Sequence, residues 1–275
     1  MKVILNTVIN LPLDHYPYRH DSMVPNTVTQ FYGTDSQQLF EHNLKYRTNW
    51  IYSDKEVTYH FNSDGLRMKK NLTEIDDNYI MFSGTSHTFA IGLSEEDRFS
   101  NTVAKELNLD FVNCSSPLNS IKTQTINFFN LINSGYKLPK IFVLEYPPCE
   151  VYSFYTNDNF VLFYRKHMPD ETYSEYINLY DKMKNLDFLY QEAITYQNMI
   201  RSVCKRLNIK LIEIGIERDN IFTEQHVPNL INVNINSDDI NFCYARDYRL
   251  VGDRYIGHPG IGIHKNVHDI ILESL

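Results

Sequence analysis

Basic runs are missing from this 275-residue chain, whose formal charge is −8. Nucleic acid and anionic membrane surfaces are therefore poor partners on electrostatic grounds. No stretch reaches the ~18 apolar residues that a membrane span needs. The start, Met1-Lys-Val-Ile-Leu-Asn-Thr-Val-Ile-Asn-Leu-Pro12, is too short and interrupted for a signal peptide, so cytoplasmic residence is the expectation. The four cysteines (Cys114, Cys149, Cys204, Cys243) show no Cys-x-x-Cys pairing, which argues against a zinc site or a disulfide framework. Cys114 and Cys204 lie in apolar segments and read as small core residues. No glycine-rich phosphate loop follows the first apolar strand, which removes the usual nucleotide cradle.

Tyrosine and phenylalanine are plentiful, at 20 and 16 residues, beside a single Trp50. Such aromatics serve a core or a sugar-binding surface, and core packing is the reading we favour. Composition is otherwise that of a globular protein, 43% hydrophobic and 22% charged. A chain of this length buries roughly three quarters of its unfolded surface.

Residues 1–55 are polar and irregular, with Pro12, Pro17 and Pro25 interrupting any long element. We expect them to form an N-terminal extension packed on a main domain of residues 56–275. From Glu56 onward, strand and helix signals alternate. Glu56–Phe61 reads as an edge strand closed by the turn Asn62-Ser-Asp-Gly65. Tyr79–Ser83, Asp110–Cys114, Ile141–Tyr146, Ile209–Ile216 and Leu230–Ile235 follow as strands. Helices are expected where Phe99, Val103 and Leu107 recur after the capping-box pattern Ser94-Glu-Glu-Asp97, and from Ile121 to Gly135. Two more are expected between Thr172 and Leu207, and one carries Val267, Ile270, Ile271 and Leu275 at the end. Repeated β-then-α order implies a three-layer α/β/α fold around a parallel sheet.

The chemistry concentrates where the first apolar strand stops at Gly84 and Ser86 follows two residues later. Open α/β sheets hold ligands at such carboxyl ends. A serine hydroxyl needs a base to become a nucleophile, and histidine suits that role near neutral pH. Late in the chain, Asp253-Arg-Tyr-Ile-Gly-His258-Pro-Gly offers an acid and an imidazole close together. His87 adjoins Ser86 but is set aside, because adjacent side chains on a turn generally point apart. His264 and His268 read as a solvated helix face, and no metal-ligand set accompanies them.

These blocks resemble the SGNH (GDSL-like) hydrolase family. The resemblance rests on Asn62-Ser-Asp-Gly-Leu-Arg67, Gly84-Thr-Ser-His87, Ile91-Gly-Leu-Ser-Glu-Glu-Asp-Arg-Phe99, Val112-Asn-Cys-Ser-Ser-Pro-Leu118 and His258-Pro-Gly-Ile-Gly-Ile-His264. It covers roughly 90 residues closely, and the order of elements loosely. It implies a serine esterase with Ser86 as nucleophile, His258 as base and Asp253 as the acid that orients it, Asp247 of Ala245-Arg-Asp247 being the competitor. It implies no cofactor, and as substrate a small acyl ester such as an O-acetyl group on a carbohydrate. The family's loop glycine aligns with Leu118, so the Leu118 amide and the Asn119 side chain become candidate oxyanion donors. Two departures stand out: Thr85 replaces the usual Asp, and Glu145-Tyr-Pro-Pro-Cys-Glu150 lacks the usual donor Asn. They leave open a catalytically weak module that binds glycan or protein.

Overall fold

The protein is described by a computed structural model for residues 24–47, 49–147, 151–156, 159–164, 178, 181–182, 188–216, 231–232, 239–251 and 254–275. In chain order the elements are β1 (Thr27–Thr29), α1 (Gln37–Tyr46), β2 (Tyr59–Phe61), β3 (Tyr79–Ser83), α2 (Ser86–Phe89), α3 (Phe99–Glu106) and β4 (Asp110–Asn113). Then come α4 (Ile121–Asn133), β5 (Ile141–Glu145), β6 (Val151–Thr156), β7 (Asn159–Tyr164), α5 (Phe188–Leu207) and β8 (Lys210–Gly215). The chain closes with β9 (Ile231–Asn232), α6 (Ile240–Cys243), β10 (Arg249–Val251), β11 (Arg254–Ile256) and α7 (Ile261–Glu273).

Five parallel strands form the central sheet in the order β4-β3-β5-β8-β9. Because strand side chains alternate, each face is built from every second residue. Ile80 and Phe82 of β3, Val143 of β5, and Ile212 and Ile214 of β8 pack under Phe99, Val103 and Ala104 of α3 and Ile263, Val267 and Ile271 of α7. On the other face Met81, Val112, Phe142 and Leu144 meet Ile121, Phe128 and Leu131 of α4 and Ala193, Ile200 and Cys204 of α5. This is a three-layer α/β/α fold. Each fully buried Ile, Val or Phe contributes about 1.5–3 kcal/mol, which is why the strands read so clearly as apolar runs.

Among the described residues, Tyr32, Tyr52, Tyr59, Tyr79, Tyr146 and Tyr248 are buried and serve the core. Among the described residues, no helix is long and apolar enough to cross a membrane. The expected edge strand shortens to β2 and pairs antiparallel with β1, away from the central sheet. Ser94 does not close a capping box. Its hydroxyl donates to Asp97 Oδ2 at 2.6 Å over a 3₁₀ turn, and α3 begins only at Phe99. Hairpins β6–β7 and β10–β11 were not anticipated. Of the expected helices between 172 and 207, α5 is described; 172–177, 179–180 and 183–187 lie outside the described residues, as do Pro12 and Pro17.

Candidate active site

Numbered by position among the sheet's strands, the order is 2-1-3-4-5, so the chain reverses direction across the sheet between β3 and β5. A crevice opens at such a reversal beyond the carboxyl ends of the two strands. Gly84 follows β3 and Glu145 ends β5, so both lie at that point.

Gly84 is a glycine for want of space. A Cβ there would overlap the Glu145 carboxylate and the Thr88 hydroxyl, and would lie 2.7 Å from Glu145 Cβ. Thr85 then caps the short helix α2, and Ser86, half-exposed, is its first residue. Glu145 is buried beneath this turn. Its carboxylate accepts from the Thr85 amide (2.9 Å), the Thr85 hydroxyl (2.6 Å), the Thr88 amide (3.0 Å) and the Thr88 hydroxyl. His87 Nδ1 lies 3.4 Å from Glu145 Oε1. Burial works to raise the Glu145 pKa, but His87 and these donors outweigh it and hold the group below the usual carboxylate value. The carboxylate thus braces the turn from below, with its charge taken up by its neighbours.

Two further devices fix the turn. The Arg67 guanidinium, fully buried, donates to the carbonyls of Phe89, Ala90 and Leu93, each at 2.5 Å. These carbonyls belong to the last residue of α2 and to the loop after it, where Ala90 takes the left-handed region (φ 65°). On the other side, the loop after β4 is stitched to the turn. The Ser116 amide donates to the Gly84 carbonyl at 3.3 Å, and Asn119 Nδ2 donates to the same oxygen at 3.1 Å.

The carboxyl-terminal residues meet the loop after α2. Gly92 admits them: a Cβ there would sit 2.8 Å from the Arg246 amide, which donates to the Gly92 carbonyl at 3.2 Å. The next residue, Asp247, is buried. Its Oδ2 lies 2.6 Å from His258 Nδ1, and its Oδ1 accepts the His258 backbone N–H at 3.0 Å. The Ala245 amide donates back to the His258 carbonyl at 2.8 Å. Burial opposes the Asp247 charge, yet His258 and the Thr34 hydroxyl hold its pKa below the usual value.

The imidazole of His258 is thereby brought to the serine turn. Its ring centroid lies 6.0 Å from that of His87, at 71°. His87, set aside on sequence grounds, therefore shares the cleft with His258. Asp253 lies outside the described residues, and the carboxylate held against His258 is that of Asp247. Leu118 is partly buried in the left-handed region (φ 58°), a conformation that glycine adopts most readily. Asn119 is fully buried, and its amide braces Gly84 from inside the fold. Thr34, whose hydroxyl donates to Asp247 Oδ2 at 2.5 Å, carries no sequence signal that would have singled it out.

The fold is a three-layer α/β/α sandwich around a parallel sheet. The three layers and the central parallel sheet are as expected from the sequence; Ser86 stands on the turn after β3, and Asp247, the competitor to Asp253, meets His258. Neither a family model nor a curated protein matches the chain. Among solved structures it is similar to a carbohydrate esterase whose active site displays divergent catalytic and non-catalytic binding functions. That match has 10% identity and a TM-score of 0.43, over 72% of this chain and 68% of the other. It is also similar to a family two carbohydrate esterase from Clostridium thermocellum in complex with cellohexaose (14% identity, TM-score 0.41), covering 72% of this chain and 63% of that one. A third is the psychrotrophic esterase EstA from Pseudoalteromonas sp. (13% identity, TM-score 0.40), over 72% and 96%.

His264 corrects the sequence reading. It is buried on α7, stacks on Phe99 at 5.2 Å, and its Nδ1 accepts the first amide of α3 at 3.1 Å. Burial, with the nearby positive charges, drives its pKa down to about 3. The sign follows from linkage: between about pH 3 and 6.5 the unfolded chain binds a proton at this histidine that the folded chain refuses. Stability therefore falls as the pH drops below about 6.5. Thermal melts of wild type and His264→Gln from pH 7 to 5 check this. The wild-type Tm should decline across that range and the variant's should decline less; parallel curves would contradict a buried neutral histidine.

Proposed function

We propose that the protein is a serine esterase acting on small acyl esters, with O-acetyl groups on a carbohydrate as the substrate type that the family resemblance suggests. The observation that carries the reading is the Asp247–His258 contact of 2.6 Å, set beside the turn that bears Ser86. In this mechanism His258 Nε2 takes the Ser86 hydroxyl proton as Oγ bonds to the ester carbonyl carbon. The carbonyl π electrons move to oxygen, and the backbone amides of Ser86 and Leu118 are the donors suited to receive that oxyanion. Collapse expels the alcohol, which leaves with the proton from His258. Water, deprotonated by His258, then attacks the acyl-serine, and as the acyl–Oγ bond breaks His258 returns that proton to Ser86 and the acid is freed. Asp247 stays ionised throughout; it orients the ring and offsets the imidazolium charge.

A second reading has a specific basis. Beyond β5 the chain runs Glu145-Tyr146-Pro147, and Pro147 has no N–H to give an oxyanion. Loss of one such donor typically costs on the order of 10²–10³ in kcat. That favours a weak catalyst kept as a glycan- or protein-binding module. Hydrolysis of p-nitrophenyl acetate by wild type and Ser86→Ala separates the two readings. The esterase reading expects the variant to lose at least about 10³-fold; equal rates would remove it.

A further inference from the structure

Thr34 belongs to the amino-terminal segment, far from the α/β layers in sequence. Its hydroxyl nevertheless donates to Asp247 Oδ2 at 2.5 Å and lies 3.5 Å from His258 Nδ1. With the His258 ring and backbone N–H, the Asp247 carboxylate is met by three donors. The delivery of Thr34 is itself built. Tyr32 and Asp35 exchange backbone hydrogen bonds (2.9 and 3.1 Å) around a turn in which Gly33 takes φ 62°. Asp35 then forms a two-pronged ion pair with Arg246, the residue before Asp247: Nε to Oδ1 at 2.9 Å and a terminal nitrogen to Oδ2 at 2.6 Å. That terminal nitrogen also reaches the Gln30 carbonyl. Tyr59 completes the pair, donating to Asp35 Oδ2 at 2.6 Å while accepting the Gly92 amide at 2.7 Å. A buried ion pair is costly unless further hydrogen bonds accompany it, and here the Gln30 carbonyl and the Tyr59 hydroxyl supply them, so the pair fixes geometry. One network thus ties the Thr34 turn, the Asp247 loop and the loop after Ser86 together.

We propose that Thr34 is a positioning residue for His258, acting through Asp247. By donating to Oδ2 it occupies the oxygen that would otherwise draw the Nδ1 proton away. The imidazole is then kept in the tautomer protonated at Nδ1, with Nε2 free to accept from the serine. Its catalytic consequence rests on the esterase reading; the contact itself does not. Among the described residues, the charged and titratable groups around His258 are Asp247, Arg246 and Asp35 behind it, His87 on α2, Glu145 beneath His87 and the buried His264 on α7.

The test compares Thr34→Val, which keeps shape and removes the hydroxyl, with Thr34→Ser, which keeps the hydroxyl. With p-nitrophenyl acetate, Thr34→Val should lower kcat by about tenfold or more with KM unchanged, as expected for losing a hydrogen bond to a charged group. The acid limb of its pH profile should move to higher pH, because a less satisfied carboxylate favours the imidazolium. Thr34→Ser should restore both. In parallel, proton NMR of the His258 Nδ1–H should show a low-field signal in wild type and Thr34→Ser that weakens or moves upfield in Thr34→Val. An unchanged signal in Thr34→Val overturns the proposal whatever the activity, and so does a Thr34→Ser variant as impaired as Thr34→Val. Absence of hydrolysis in wild type would instead overturn the esterase reading, and the NMR comparison would still decide the role of Thr34.

Discussion

Asp247→Asn is expected to cut kcat for p-nitrophenyl acetate by about 10³–10⁴-fold with little change in KM, the scale seen when a triad acid becomes an amide. The substitution keeps the shape of the side chain but replaces one acceptor by a donor. Oδ1 and Oδ2 of Asp247 both accept from His258, and Oδ2 also accepts from Thr34. An Asn can satisfy the backbone N–H and then turns its NH₂ toward the ring, which forces the proton onto Nε2. That nitrogen can no longer take the serine proton. Asp253→Asn, measured beside it, should stay within about threefold of wild type. The reverse ranking would show that Asp253 is the acid.

Gly84→Ala should be nearly as damaging, although a methyl group is all it adds. Its Cβ has no room except where the Glu145 carboxylate and the Thr88 hydroxyl stand. Either the carboxylate leaves its four donors or the turn lifts away from it. A buried carboxylate deprived of partners costs several kcal/mol, so a large fall in Tm is expected. A displacement of about 1 Å at Ser86 costs about 10²-fold in kcat, so the folded fraction should also be slow. Kinetics normalised to the folded fraction by circular dichroism check this. A variant with wild-type kcat and Tm would contradict the account of the turn.

Much of the framework around the candidate site was legible in the sequence. Tyr79–Ser83 is a short apolar run ending at a glycine, and burial on both faces makes such strands nearly unmistakable. Ser86 follows from its place after that strand, and His258 from the block that precedes the last helix. The carboxylate held against His258 was harder to read. Spacing favoured Asp253, five residues from His258, but β10 and β11, which lie between Asp247 and His258, pair antiparallel. Arg249 pairs with Ile256, and two residues further out the same register sets Asp247 opposite His258. The signal was present: Gly252-Asp253 between two apolar-rich triplets is a hairpin-turn dipeptide. His264 was also recoverable, since it shares a helical face with Val267 and Ile271, both buried. Thr34 and Glu145 were not. Their roles depend on contacts across 213 and about 60 residues of chain, which no local pattern encodes.

The claim beneath all of this is that Ser86 is an activated nucleophile, its base supplied from the last strands and helix of the chain. Labelling the intact protein with a fluorophosphonate probe, digesting it and mapping the adduct by mass spectrometry tests that without choosing a substrate. The account predicts one adduct, on Ser86, formed much more slowly in Asp247→Asn. Labelling at another serine, or none on Ser86 in the folded wild type, would contradict it.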